Sequence, residues 1–245
     1  TNEISGKRQM EFLAGFDYIR EAGTAGEEKA AALIQETLSS FGVESRLEEF
    51  SFDTFQIKKA KLTITEPYTK EYTVTGYGRC ANTAEDGLKA PFVYAENGDD
   101  ISLAQVKGKI VMVNDPVRKD MYQKLVKAGA VGFISIAGSP LDEGVDLIPR
   151  AYGLPKNLPG EEKKAAGKEA QNYDNRIPGV SIHYKDAIEL VTKGASQACL
   201  VVEQETVTRT SRNVVAQIEG TDKAEEILTL TAHYDSVQEG PGAYD

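Results

Sequence analysis

The chain closes on Ile227-Leu228-Thr229-Leu230-Thr231-Ala232-His233-Tyr234-Asp235-Ser236-Val237, followed by Gln238-Glu239-Gly240-Pro241-Gly242-Ala243-Tyr244-Asp245. An apolar run gives way at once to a histidine, with one aspartate two positions later and another twelve positions later. The run Ile227 to Ala232 predicts a buried strand. Open α/β sheets place ligating groups just beyond the carboxyl ends of such strands. Imidazole and carboxylate are the usual non-thiol ligands of zinc, so His233 reads as a metal ligand projecting from the strand end. Asp235 can accept a hydrogen bond from the other ring nitrogen and fix the orientation of the imidazole. The Gly240-Pro241-Gly242-Ala243 turn would return the chain so that Asp245 faces the same space. One carboxylate can bridge two metal ions, which suits a two-metal hydrolytic site. An isolated His-x-Asp is more often structural, because histidine bonds in many settings. The strand before this one and the turn after it set it apart.

The rest of the composition bounds the reading. The 245 residues suffice for one large domain or two ordinary ones. Hydrophobic residues make up 40% and charged residues 27%, the balance of a soluble globular protein. Lys and Arg number 28 against 38 Asp and Glu, a formal charge of −10. That argues against nucleic acid as the main partner, since phosphate binding needs a positive surface. No apolar stretch approaches the roughly 20 residues of a membrane span. The chain begins at Thr1 without an initiator methionine and shows no signal peptide, so the expectation is an excised or mature part of something longer. Cys80 and Cys199 are too few for a disulfide scaffold and lack metal-binding spacing; pairing and free thiols both remain open. Oligomeric state is not legible.

Three segments differ in texture, with expected boundaries at residues 1–50, 51–205 and 206–245. In the first, Phe12, Phe16 and Ile19 recur at helical spacing before the break Ala22-Gly23. Thr24 and Glu27 form a capping box for a second helix with Ala30, Leu33, Ile34, Thr37, Leu38 and Phe41 on one face, stopped by Gly42. Val43 to Leu47 alternates as a strand does. The second segment is rich in β-branched and aromatic residues. Its clearest unit is the strand Lys109 to Asn114, a helix with Met121, Leu125 and Ala128 on one face, and the strand Ala130 to Ile136, a crossover unit. Residues 142–176 read as a long polar surface excursion, and Ile182, Ala187, Leu190 and Val191 as a return to the core. In the third, Asn213 to Ile218 and Ile227 to Ala232 read as neighbouring strands joined by the polar tip Glu219 to Lys223. The fold class expected is α/β, a partial mixed-sheet domain interrupted by a β-rich insertion.

Thr231 to Val237 together with Pro241 to Asp245 closely resembles the first metal motif of the zinc aminopeptidase Y-like peptidase family, the two-zinc exopeptidases. Arg212 to Gly220 resembles the strand and turn before that motif, and Ala22 to Gly26 with its helix resembles the family's N-terminal opening. Gly108 to Val113, Lys127 to Ile134 and Ile177 to Ile182 resemble a protease-associated domain inserted into such enzymes. The resemblance covers nearly the whole chain. It implies that His233 binds one of two zinc ions, that Asp235 orients it as part of the catalytic apparatus, and that Asp245 bridges both ions. The family's general-base glutamate and its remaining ligands lie downstream of the bridging aspartate, so the chain reads as truncated there and inactive by itself. The implied protein is a metalloprotease that removes N-terminal residues from peptides. Its implied location is secreted or on the outer side of the cell envelope, without a membrane span. The competing reading is a non-catalytic module that binds a peptide or partner on a peptidase scaffold; a cyclase acting on N-terminal glutamine is a third, made less apt by the insertion.

Other signals carry little. Gly76-Tyr77-Gly78-Arg79-Cys80-Ala81 matches a dinucleotide fingerprint formally, yet no apolar helical stripe follows to present a helix N-terminus to phosphate. His183 has no second ligand nearby and reads as a packed or surface histidine. Ser135 and Ser181 lack a nucleophile-elbow context.

Overall fold

The computed structural model describes residues 5–114, 116–139, 149–158, 173–223, 225–238 and 240. They divide into two compact units, residues 1–54 with 208–245, and residues 55–207. Helices are α1 (Gly6–Leu13), α2 (Ala25–Ser40), α3 (Lys119–Lys127) and α4 (Tyr184–Thr192). Strands are β1 (Ser45–Glu66), β2 (Lys70–Tyr72), β3 (Val74–Gly76), β4 (Leu88–Tyr94), β5 (Ile110–Val113), β6 (Gly132–Ala137), β7 (Gly179–His183) and β8 (Gln197–Ala216). This is the mixed α/β class that the sequence implies.

The unit of residues 55–207 is built on a sheet in the order β2-β1-β8-β4-β5-β6-β7-β3. Strands β4, β5, β6 and β7 are mutually parallel, while β3 and β8 close on them antiparallel. The four residues of β5 and the six of β6 are all buried, as a parallel strand covered on both faces requires. Helix α3 links them and buries Tyr122 and Leu125. Gly129 then takes φ 83°, a left-handed conformation that ends the helix and that side chains resist. This crossover unit follows the hydrophobic spacing of the sequence closely.

Three expectations need correction. Of Val43 to Leu47, only Ser45 to Leu47 lies in a strand, and that strand continues to Glu66. Of the stretch expected as a polar surface excursion, residues 142–148 and 159–172 lie outside the described residues. Within the remainder Leu154 and Leu158 are buried in the core and Arg176 is buried as well. Apolar anchors in a polar stretch leave no period to read. The expected strand Ile227 to Ala232 is not formed, nor is its hairpin with Asn213 to Ile218, which instead supplies the end of β8 as far as Ala216. Ile227, Leu228 and Leu230 are 87%, 87% and 88% exposed. A buried strand needs neighbours that satisfy its backbone and cover its faces, and no ladder partner runs beside it among the described residues.

The glycine-rich loop after β3 is a packing device. Tyr77 and Cys80 are buried, and the Gln204 side-chain amide donates to the Tyr77 and Cys80 carbonyls at 3.0 and 3.1 Å. Its oxygen accepts from the Arg79 backbone at 2.7 Å. A Cβ on Gly78 would stand 2.3 Å from the Phe55 ring, so the glycine is required for close approach, not for phosphate. Burial pushes the Cys80 thiol up to about 12; Cys80 and the half-exposed Cys199 are both free thiols. His183 is buried and its Nδ1 accepts from the Lys185 backbone at 3.3 Å, capping α4. The packed-histidine reading is the one the structure bears out.

Gly179 opens β7 beneath Phe133, where an added Cβ would lie 2.1 Å from the ring. Gly179→Ala is expected to destabilise the chain by about 1–3 kcal/mol through overpacking, read as a lower denaturation midpoint with an unchanged m-value.

Candidate functional site

The site is assembled in the unit of residues 1–54 and 208–245, around α2 and the segment that follows the exposed apolar run. Thr24 caps α2, its hydroxyl accepting from the Glu27 backbone at 3.5 Å. Glu27 Oε2 in turn accepts from the Gly23 backbone N–H at 2.8 Å, one residue before the position that a standard capping box uses. The carboxylate of Glu27 is 1% exposed. Its Oε1 accepts from Ser211 Oγ at 2.8 Å, from the Arg212 backbone at 3.2 Å and from Tyr234 Oη at 2.7 Å. Burial alone would raise the pKa of Glu27. The donors Tyr234, Gly23, Ser211 and Arg212 outweigh it and hold the carboxyl below the usual carboxylate range. Tyr234 moves the other way, its phenol raised by burial and by the neighbouring Glu27 charge.

Arg20, also buried, grips the same segment from the preceding loop. Its Nε donates to the Tyr234 carbonyl at 2.8 Å and its Nη1 to the Phe16 carbonyl at 3.0 Å. The Arg20 backbone N–H donates to Ser236 Oγ at 2.8 Å, and the Ser236 N–H returns to the Arg20 carbonyl at 3.2 Å. Gln238 donates to Glu21 Oε1 at 2.7 Å. Residues 234–238 are thus tied to residues 20–27 on both sides of Asp235.

His233 and Asp235 lie on the outer side of this anchored segment. The imidazole Nδ1 stands 3.1 Å from Asp235 Oδ1, with the His233 side chain 62% exposed and that of Asp235 46%. A proton on Nδ1 shared with the carboxylate puts the lone pair on Nε2, the tautomer in which an imidazole ligates a metal ion. This donor set fits one ligand position of a zinc site with its orienting carboxylate. Asp245, the other expected ligand, lies outside the described residues. Among the described residues no group of three or more His, Cys, Asp and Glu side chains could hold a metal ion. Reasoning from sequence reads Glu27 only as a helix cap and passes over Arg20, Tyr234 and Ser236. Their partners stand about 200 positions away, and nothing in local spacing reports them.

Residues 213–245 match the model of peptidase family M28, and residues 70–190 match that of the PA domain. The chain thus resembles M28 peptidases in its last residues and PA domains in its middle segment. It is 24% identical to carboxypeptidase Q of Mus musculus over 92% of its length and 48% of that protein. It is 26% identical to the probable lipoprotein aminopeptidase LpqL of Mycobacterium tuberculosis over 94% of its length and 42% of that protein. The fold resembles that of BSAP, a zinc aminopeptidase from Bacillus subtilis, with TM-score 0.69 and 22% identity, covering 100% of this chain and 55% of that one. The chain therefore spans about half the length of the curated relatives it matches. No helix among its described residues is long and apolar enough to cross a membrane.

Because the Glu27 pKa is depressed in the fold, its ionised form stabilises the native state at pH values above the unfolded carboxylate pKa. That contribution is lost as pH falls through the depressed value. Glu27→Gln is expected to lower stability at neutral pH and to flatten the acid side of a plot of denaturation midpoint against pH, below the ordinary carboxylate range.

Proposed function

We propose that this chain is part of a two-zinc exopeptidase that removes residues from the N-termini of peptides, with His233 as a ligand of one ion. The reading carries Asp245 as the carboxylate that bridges both ions and Asp235 as the residue that orients His233. Residues 1–50 and 206–245 would belong to the peptidase domain, and residues 51–205 would be the protease-associated insertion, acting as a lid or substrate filter. The observation that supports it most is the His233–Asp235 pair at 3.1 Å, lying inside the stretch that matches the M28 peptidases. The name of BSAP supports zinc, and that of LpqL, a probable lipoprotein aminopeptidase, supports aminopeptidase activity and accords with a secreted or envelope location.

Zinc, when bound, supplies Lewis acidity toward a scissile carbonyl. The contribution of this chain is orientation. Asp235 holds the His233 ring in one tautomer, and the hydrogen bonds to Tyr234 and Ser236 hold the backbone that carries both side chains. Side chains fixed before the ion arrives lose less freedom on binding it, which strengthens the site.

In the full-length protein His233→Ala is expected to abolish hydrolysis of aminoacyl anilides while the circular dichroism spectrum and melting temperature stay close to wild type; undiminished turnover would remove His233 from the metal site. Peptides blocked at one end or the other separate aminopeptidase from carboxypeptidase activity, which matters because relatives bear both names. The 245-residue chain alone is expected to show no peptidase activity and weak zinc affinity, since His233 and Asp245 fall short of the three or four protein ligands of a usual site. Metal-dependent release of an aminoacyl leaving group by that chain would contradict this. Tight, saturable binding of a peptide without hydrolysis by the full-length protein would favour a binding module instead.

A further inference from the structure

The Glu27 carboxylate lies in the protein interior with both oxygens engaged, and all the donors that meet it are neutral: the Ser211 and Tyr234 hydroxyls and the Gly23 and Arg212 backbone N–H groups. The nearby guanidiniums are engaged elsewhere. Arg212 Nη2 pairs with Glu28 at 2.9 Å, and Arg209 Nη1 with Glu21 at 2.9 Å. An ionised carboxylate is costly to bury, and a helix cap alone does not require it. An exposed threonine and glutamate would cap α2 equally well. What the burial adds is the tie to Tyr234, the residue between His233 and Asp235.

The Tyr234 hydroxyl has one proton and two acceptors within reach, Glu27 Oε1 at 2.7 Å and the Arg212 carbonyl at 2.6 Å. Its own carbonyl is fixed by Arg20 Nε. Tyr234 is therefore held at both ends, by its ring and by its backbone. Its neighbours on either side, His233 and Asp235, meet each other on the exposed side. With Tyr234 anchored inward at ring and backbone, the half-exposed side chains on either side of it stand on a fixed stretch of backbone.

We propose that Glu27 is a positioning residue for the metal site, acting through the Tyr234 hydroxyl to set where the His233 imidazole and the Asp235 carboxylate stand. The inference rests on the reading of His233 as a zinc ligand. Groups that orient ligands from behind typically contribute 10- to 100-fold to metal affinity or activity.

The test uses the full-length protein with three readouts: zinc affinity by competition with a chromogenic chelator, kcat and KM on an aminoacyl anilide, and melting temperature. Tyr234→Phe removes one oxygen and leaves Glu27 with its three other donors, so the fold should persist. It is expected to weaken zinc binding and lower kcat by about 10- to 100-fold with KM little changed. Glu27→Gln is expected to fall between wild type and Glu27→Ala. Its amide oxygen can still accept from Tyr234, while its amide nitrogen cannot accept from Gly23. A Tyr234→Phe protein with a lowered melting temperature but wild-type zinc affinity and kcat would overturn the proposal, leaving a merely structural contact. His233→Ala serves as the reference: if it leaves zinc binding and turnover intact, the metal-site reading itself fails, whatever Tyr234→Phe does.

Discussion

A carboxylate taken out of water must have its charge answered from within the protein, and that demand organises the unit that carries His233. Glu27 meets it with four neutral donors drawn from three separate stretches of chain: Gly23, Ser211 with Arg212, and Tyr234. Each donor is thereby fixed relative to the others. The end of β8, the first turn of α2 and the segment that bears the imidazole become one hydrogen-bonded assembly. Arg20 reinforces it from a second direction, through the carbonyl of Tyr234 and the hydroxyl of Ser236. Removing Glu27 would leave several buried donors without acceptors, which costs more than the net worth of the bonds themselves.

The unit of residues 55–207 is held by other means. Its strands β5 and β6 are buried along their whole length, and Gln204 spends its amide on the loop that carries Cys80. Phe133 sits at the centre, in edge contact with Tyr77 and Tyr122 and pressed against Gly179. Within this unit neither Ser135 nor Ser181, both wholly buried, offers a nucleophile.

How much of this could be read from the residues depends on whether the cause was local. The helix after Thr24, the crossover of β5, α3 and β6 and the return through β7 and α4 all follow from hydrophobic spacing and glycine stops. Those signals act over a few residues. The strand expected at Ile227 to Ala232 failed for the opposite reason: apolar periodicity states a capacity for burial, and a partner strand decides whether it is used. Leu154 and Leu158 were hidden because isolated anchors carry no period. The anchoring of Tyr234 was hidden because Glu27 had already been explained as a cap, and a residue that serves two purposes shows only the nearer one to sequence reasoning.

The contacts between residues 20–27 and 234–238 also bear on how the chain reaches its native state. They join positions separated by about 150 intervening residues of the other unit, and closing a disordered loop of that length costs on the order of 4 kcal/mol in entropy. If the intervening unit folds first, its ends are already brought together and most of that cost is met before Arg20 and Glu27 find their partners. Assembly of the imidazole-bearing segment is then a late event in folding, and its rate is governed by the maturation of a unit that contributes none of its side chains.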